Sequence, residues 1–131
     1  MRFRHCILVI LSAVLTTAAF SSAADKKQIS DAIAAVEANL KTPAGKKYDE
    51  LMGKEFPVRY LPSMKQCKQS TPNLDPFDMF LKLDAEGKVE EVLVHPETQF
   101  AICLRNALHG GRFSAPPHAA YWVNIHMQLK P

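Results

Sequence analysis

Beyond the first two dozen residues, the side chains capable of chemistry are histidines 95, 109, 118 and 126, cysteines 67 and 103, and serines 30, 63, 70 and 114. None of the histidines shares with another His, Cys or carboxylate the short spacing of a metal signature. His95 reads as a strand end, His118 as a loop residue, and His109 as a helix end, where the helix dipole favours a cation. The serines fall in a helix, a cap and loops, with no glycine-flanked elbow to raise a nucleophile. Five glycines supply one adjacent pair, too few for a loop that cradles phosphate. No catalytic residue, metal or cofactor is therefore expected, and the chain reads as non-enzymatic.

The cysteines take their meaning from the start of the chain. Arg2 and Arg4 precede an apolar, uncharged run from Cys6 to Phe20, and Ser21-Ser22-Ala23-Ala24 supplies the small residues of a cleavage site before Asp25. The run is about 15 residues, short of the roughly 20 that span a bilayer as a helix. Residues 1–24 thus read as a cleaved secretory signal, and residues 25–131 as one exported domain in the periplasm or outside the cell, with no stable membrane insertion. Two cysteines then remain in an oxidising compartment, and Cys67 and Cys103 are expected to form a structural disulfide. Their wide separation is unlike the Cys-x-x-Cys of a redox pair.

Losing Arg2 and Arg4 from 16 basic residues brings them to within one of the 13 acids. No strong field toward nucleic acid or membrane remains. Lys26, Lys27, Lys41, Lys46, Lys47, Lys54, Lys65 and Lys68 crowd the first part of the domain and read as a solvated face.

The elements that would position these residues follow from periodicity. Ile29, Ile33, Val36 and Leu40 fall at helical spacing behind an Asp25/Gln28 capping pair. Thr42-Pro43 opens a second, short helix from Ala44 to about Met52, ended by Gly53, which completes a helical part over 25–53. Prolines 57, 62, 72 and 76 restrict the next stretch to short extended or turn pieces, with one helical turn over 63–68 carrying Cys67. Phe77 to Leu83 alternates as a half-buried strand, Asp84-Ala85-Glu86-Gly87 is a turn, and Val89 to His95 returns as the second arm of a hairpin. A helix over 98–108 turns Cys103 inward, and Tyr121 to Leu129 alternates as a final strand whose apolar set packs on that helix. The fold class is α+β: a three-stranded antiparallel sheet of order 2-1-3, one face on a helix and the other partly open.

The run Phe80 to Val92 with its Asp84-x-x-Gly87-x-Val89 turn, the helix ending Leu104 to Leu108, Phe113-x-x-Pro116 and the strand from Tyr121, in that order, resembles the TonB carboxy-terminal domain over about residues 77–131. The resemblance implies a periplasmic binding module without catalytic residues, whose last strand pairs with an extended segment of a partner protein. The cleavable leader and the missing proline-rich spacer depart from a full energy transducer and favour an adaptor. The bare topology agrees, because the last strand is an outer edge open to strand addition. The candidate partner-binding residues are Tyr121, Trp122, Asn124, His126 and Gln128. Trp122 either anchors the partner or covers Phe80 as a cross-strand pair. The alternative function is a periplasmic inhibitor or immunity protein that neutralises a toxin or hydrolase.

Overall fold

The computed structural model describes residues 24–130; the leader expected over residues 1–24 lies outside the described residues except for Ala24. Six elements follow in order: α1 (Lys26–Leu40), α2 (Pro43–Ser70), β1 (Phe77–Leu83), β2 (Val89–His95), α3 (Gln99–Leu108) and β3 (Tyr121–Met127). The strands form one antiparallel sheet of order β2-β1-β3, in an α+β fold. No helix among the described residues is long and apolar enough to cross a membrane.

Helix α1 begins as its sequence dictates. The Asp25 carboxylate accepts from the Gln28 amide at 2.7 Å, and the Gln28 side chain accepts from the Asp25 amide at 3.0 Å, a reciprocal pair that satisfies two otherwise orphaned donors.

Helix α2 corrects the sequence reading. It does not stop at Gly53 but continues for 28 residues through Pro57 and Pro62. The physical reason lies on its inner side, where Tyr48, Met52, Phe56 and Tyr60 recur every fourth residue and Cys67 follows, all buried. Phe56 stacks on Tyr60 at 5.4 Å between centroids, and both rings meet Phe113. Burying such side chains stabilises by about 1.5–3 kcal/mol each, so four of them match or exceed the cost of two internal prolines at about 3 kcal/mol apiece. The extended pieces and single helical turn expected between residues 56 and 70 are therefore one helix.

The hairpin matches its expectation. Asp84 accepts from the amides of Glu86 (3.0 Å) and Lys88 (2.8 Å), an arrangement that draws the chain around Gly87 at φ +88°. A Cβ at Gly87 would run into the Phe113 carbonyl, so this turn requires glycine on two counts. Helix α3 is capped by Thr98, whose hydroxyl accepts from the Ala101 amide at 3.0 Å.

Both faces of the sheet are covered. Phe77, Met79, Leu81 and Leu83 of β1 pack with α2 and α3 in the main core. On the other face Phe80 and Leu93 lie against Ile29, Ala32 and Val36 of α1, with Trp122 partly buried beside them. This overturns the expectation of a partly open face: the apolar stripe of α1 needs a cover of its own, and the three large side chains on that face of the sheet supply it. Cys67 and Cys103 are joined, their Cα atoms 5.8 Å apart, which ties the end of α2 to α3.

Candidate functional site

The outward edge of β3 is defined by hydrogen-bond parity. In the hairpin the Asp84 amide donates to the Lys88 carbonyl, so the even-numbered residues of β1 bond to β2 and the odd-numbered ones to β3. The register pairs Leu81 with Val123 and Met79 with Ile125. Odd-numbered residues of β3 therefore face β1, and the N–H and C=O of Trp122, Asn124 and His126 all point away from the sheet. The Trp122 carbonyl confirms this parity, because it accepts from the Asn39 side chain of α1 at 3.0 Å.

The two outer strands are not equally protected. β2 carries an irregularity opposite Lys82 and Leu83. Its start is also covered by residues 111–113, where the Val89 amide donates to Gly111 at 2.8 Å and the Phe113 amide to Gly87 at 2.9 Å. Bulges and covers of this kind blunt an edge against pairing. β3 is closed only at its beginning, where Asn39 takes the Trp122 carbonyl. From Asn124 onward it has no bulge, no proline and no lysine.

A groove of about 380 Å³ runs along that stretch. One wall is Asn124, Ile125, His126 and Met127; the other is α2, from Asp49 through Met52, Gly53, Phe56 and Pro57 to Met64. Side chains alternate across a strand, so four consecutive residues can line one groove only where it follows the edge of the strand. Residues 49 and 64 lie about 22 Å apart along α2 at about 1.5 Å per residue. The space lies between four residues of β3 and about four turns of α2. Its chemistry is a row of unpaired backbone groups on one side and methionine and aromatic surface on the other, with the Asp49 carboxylate at one end.

Polar side chains stay clear of this edge. Asp78 Oδ1 lies 3.0 Å from His126 Nδ1 and 3.5 Å from Asn124 Nδ2, which gathers both side chains on the α1 face of the sheet. His95 and His126 are the register partners of Asp78 on its two sides. His118 packs edge-on against Tyr121, and His109 caps α3. No group of three or more His, Cys, Asp or Glu placed to hold a metal occurs among the described residues.

Of the five candidate residues, the structure brings Asn124 and His126 to the groove. Tyr121 is buried against Tyr48, centroids 5.2 Å apart, and burial pushes its hydroxyl pKa up, with Asp49 adding to the shift. Its ring holds β3 to Tyr48 of α2, whereas α3 meets the sheet chiefly at β2 and β1, so α3 is not the main cover of β3 that the sequence reading expected. Trp122 packs, partly buried, on the cluster of Phe80 and Leu93 beneath α1. Its register partner is Lys82, while Asn124 stands opposite Phe80, so it is no direct cross-strand partner of Phe80, and it does not line the groove. Gln128 lies beyond the end of the strand and is exposed. The residues that sequence reasoning missed are Met52, Phe56, Pro57 and Met64 of α2, together with Asn39. The fourfold spacing of residues 48, 52, 56 and 60 was the available signal, masked by Gly53 and the two prolines. None of the family models, curated proteins or solved structures compared with the chain matches it.

Proposed function

We propose that this protein is an exported, non-enzymatic binding module that takes up an extended segment of a partner protein along β3. The observation that carries this reading is the unprotected edge at Asn124 and His126, facing a groove as long as a short strand. Each outward residue offers one donor and one acceptor, so a segment laid there gains ladder hydrogen bonds, and its alternate side chains enter the methionine-lined groove. Asn39 sets the limit of pairing by occupying the Trp122 carbonyl. The resemblance of residues 77–131 to the TonB carboxy-terminal domain supports the same mode of action, and the Cys67–Cys103 bridge suits an oxidising compartment.

Peptides selected from a random display library against the disulfide-bonded protein provide the test, read by amide hydrogen exchange and by edge variants. The amides of Asn124 and His126 face no strand and should exchange quickly in the free protein, then slow on peptide binding. Asn124→Pro and His126→Pro each remove an outward donor at an edge position that tolerates proline, and each should weaken binding by roughly tenfold. Peptides that bind both folded proline variants as tightly as wild type, without protecting these amides, would place the function elsewhere.

A further inference from the structure

Helix α2 buries one side in the core and turns the other to solvent, and the outward side carries a pattern of its own. Lys47, Leu51, Lys54, Val58, Leu61 and Lys65 follow one another at steps of four and three residues, which places them in a single stripe along the helix. Leu51 is 42% exposed, Leu61 48% and Val58 79%. Val58, the most exposed, stands between Pro57 and Pro62, and Pro62, having no N–H, withholds the i+4 donor from its carbonyl. Scattered exposed apolar residues need no explanation, but these three are in register with three cations. Lys47, Lys54 and Lys65 are exposed and make no ion pair among the described residues. Glu55, beside the stripe, is already bound to Arg59 at 2.8 Å, and Glu50 on its margin leaves the stripe net cationic.

Charge and composition decide the occupant. A second copy would bring six unpaired lysines into one interface. A protein partner is disfavoured because interfaces are depleted in lysine and need an apolar centre larger than three aliphatic side chains spaced between cations. A headgroup layer requires only what the stripe has: cations on long stems that reach phosphates, with a few apolar side chains between them. We propose that the outer face of α2 is a docking surface for an anionic phospholipid bilayer, with Lys47, Lys54 and Lys65 against lipid phosphates and Leu51, Val58 and Leu61 among the headgroups. Gly53 and Met64 of the groove lie about a third of a turn away around α2, so a docked protein keeps the β3 edge open beside the membrane. The surface is separate from that edge, and its test is independent of the strand-binding reading.

The test is co-sedimentation of the full, disulfide-bonded protein with vesicles of phosphatidylcholine alone or mixed with phosphatidylglycerol. Wild type and variants are compared side by side, so any contribution from residues 1–23 is common to both. Wild type should bind the anionic vesicles at least tenfold more tightly than the neutral ones, and 0.5 M salt should release it. Each lysine near an anionic surface is worth roughly a fivefold change in binding, so the triple variant Lys47→Gln, Lys54→Gln, Lys65→Gln should lose about a hundredfold. Lys26→Gln with Lys88→Gln, exposed positions off the stripe, should stay within about twofold. Release of wild type by salt is read without any variant, so a misfolded variant does not remove the test. Equal binding to both vesicle types, or a folded triple variant that binds like wild type, would overturn the proposal. So would binding of polyglutamate by a protein that ignores vesicles, which would assign the stripe to an acidic protein.

Discussion

Asn39 occupies the Trp122 carbonyl at the start of the β3 edge, and Asp78 draws the Asn124 and His126 side chains to the α1 face, so polar side chains from α1 and β1 bound the edge and keep it clear. Three tyrosines on the opposite side of the sheet report on core integrity in a different way. Burial pushes the Tyr48, Tyr60 and Tyr121 hydroxyls above their ordinary value near 10. Glu55 adds to the shift at Tyr48, where the hydroxyl donates to the Ser114 carbonyl at 2.7 Å. Unfolded chains release these protons from about pH 10 while the folded protein keeps them. Above that pH the folded state holds more protons, so stability falls as pH rises; below it the three groups contribute no slope. Urea midpoints should therefore drop between pH 8 and pH 11, and the drop should be smaller in Tyr48→Phe than in wild type. An equal drop in both proteins would show that Tyr48 ionises as freely in the fold as outside it.

Among the elements, α2 has the most functions, because one side fills the core, the next walls the groove and the third carries the lysine–leucine stripe. Its continuity depends on inner-side burial overriding two helix-breaking residues. Pro62 is exposed and removes the donor for the Val58 carbonyl. Pro62→Ala restores that hydrogen bond and should stabilise the protein by about 1–3 kcal/mol, less whatever the freer unfolded chain takes back. Thermal or urea denaturation measures it. A loss of stability would mean that Pro62 is held by contacts that alanine cannot replace. β2 and β3 make the complementary contrast: two strands of equal length, one blunted by an irregularity and a covering segment, the other left open for four residues.

At the scale of the whole molecule, the sheet separates two apolar clusters of unequal size. The larger one joins α2 and α3 and is crossed by the disulfide; the smaller one seats α1. Trp122, the single tryptophan, lies in the smaller cluster and reports on it by fluorescence. Ala32 is fully buried against the sheet, and Ala32→Glu would bury a carboxylate with no partner, at a cost exceeding what so small a cluster supplies. Trp122 emission should shift to the red while the sheet signal in circular dichroism and the Cys67–Cys103 bridge persist. Loss of all structure together would show that α1 is an obligatory part of one cooperative core.

The sequence by itself determined what depends on near neighbours. The α1 capping box, the Asp84–Gly87 turn, the alternation of β1, the Thr98 cap of α3 and the 2-1-3 order all rest on contacts within a few residues or on a short list of allowed connections. The pairing of Cys67 with Cys103 followed from the count, since these are the two cysteines that remain beyond the expected leader. Tertiary structure alone decided the rest. Gly53, Pro57 and Pro62 each oppose a helix locally, and they are outweighed only by the aromatic side chains between them, which pack against Phe113 far along the chain. The covered second face required α1 to fold back over Phe80, Leu93 and Trp122. The groove exists because α2 runs long enough to stand beside β3, and the free groups at Asn124 and His126 are assigned by hydrogen-bond parity across three strands, a property that no single segment contains.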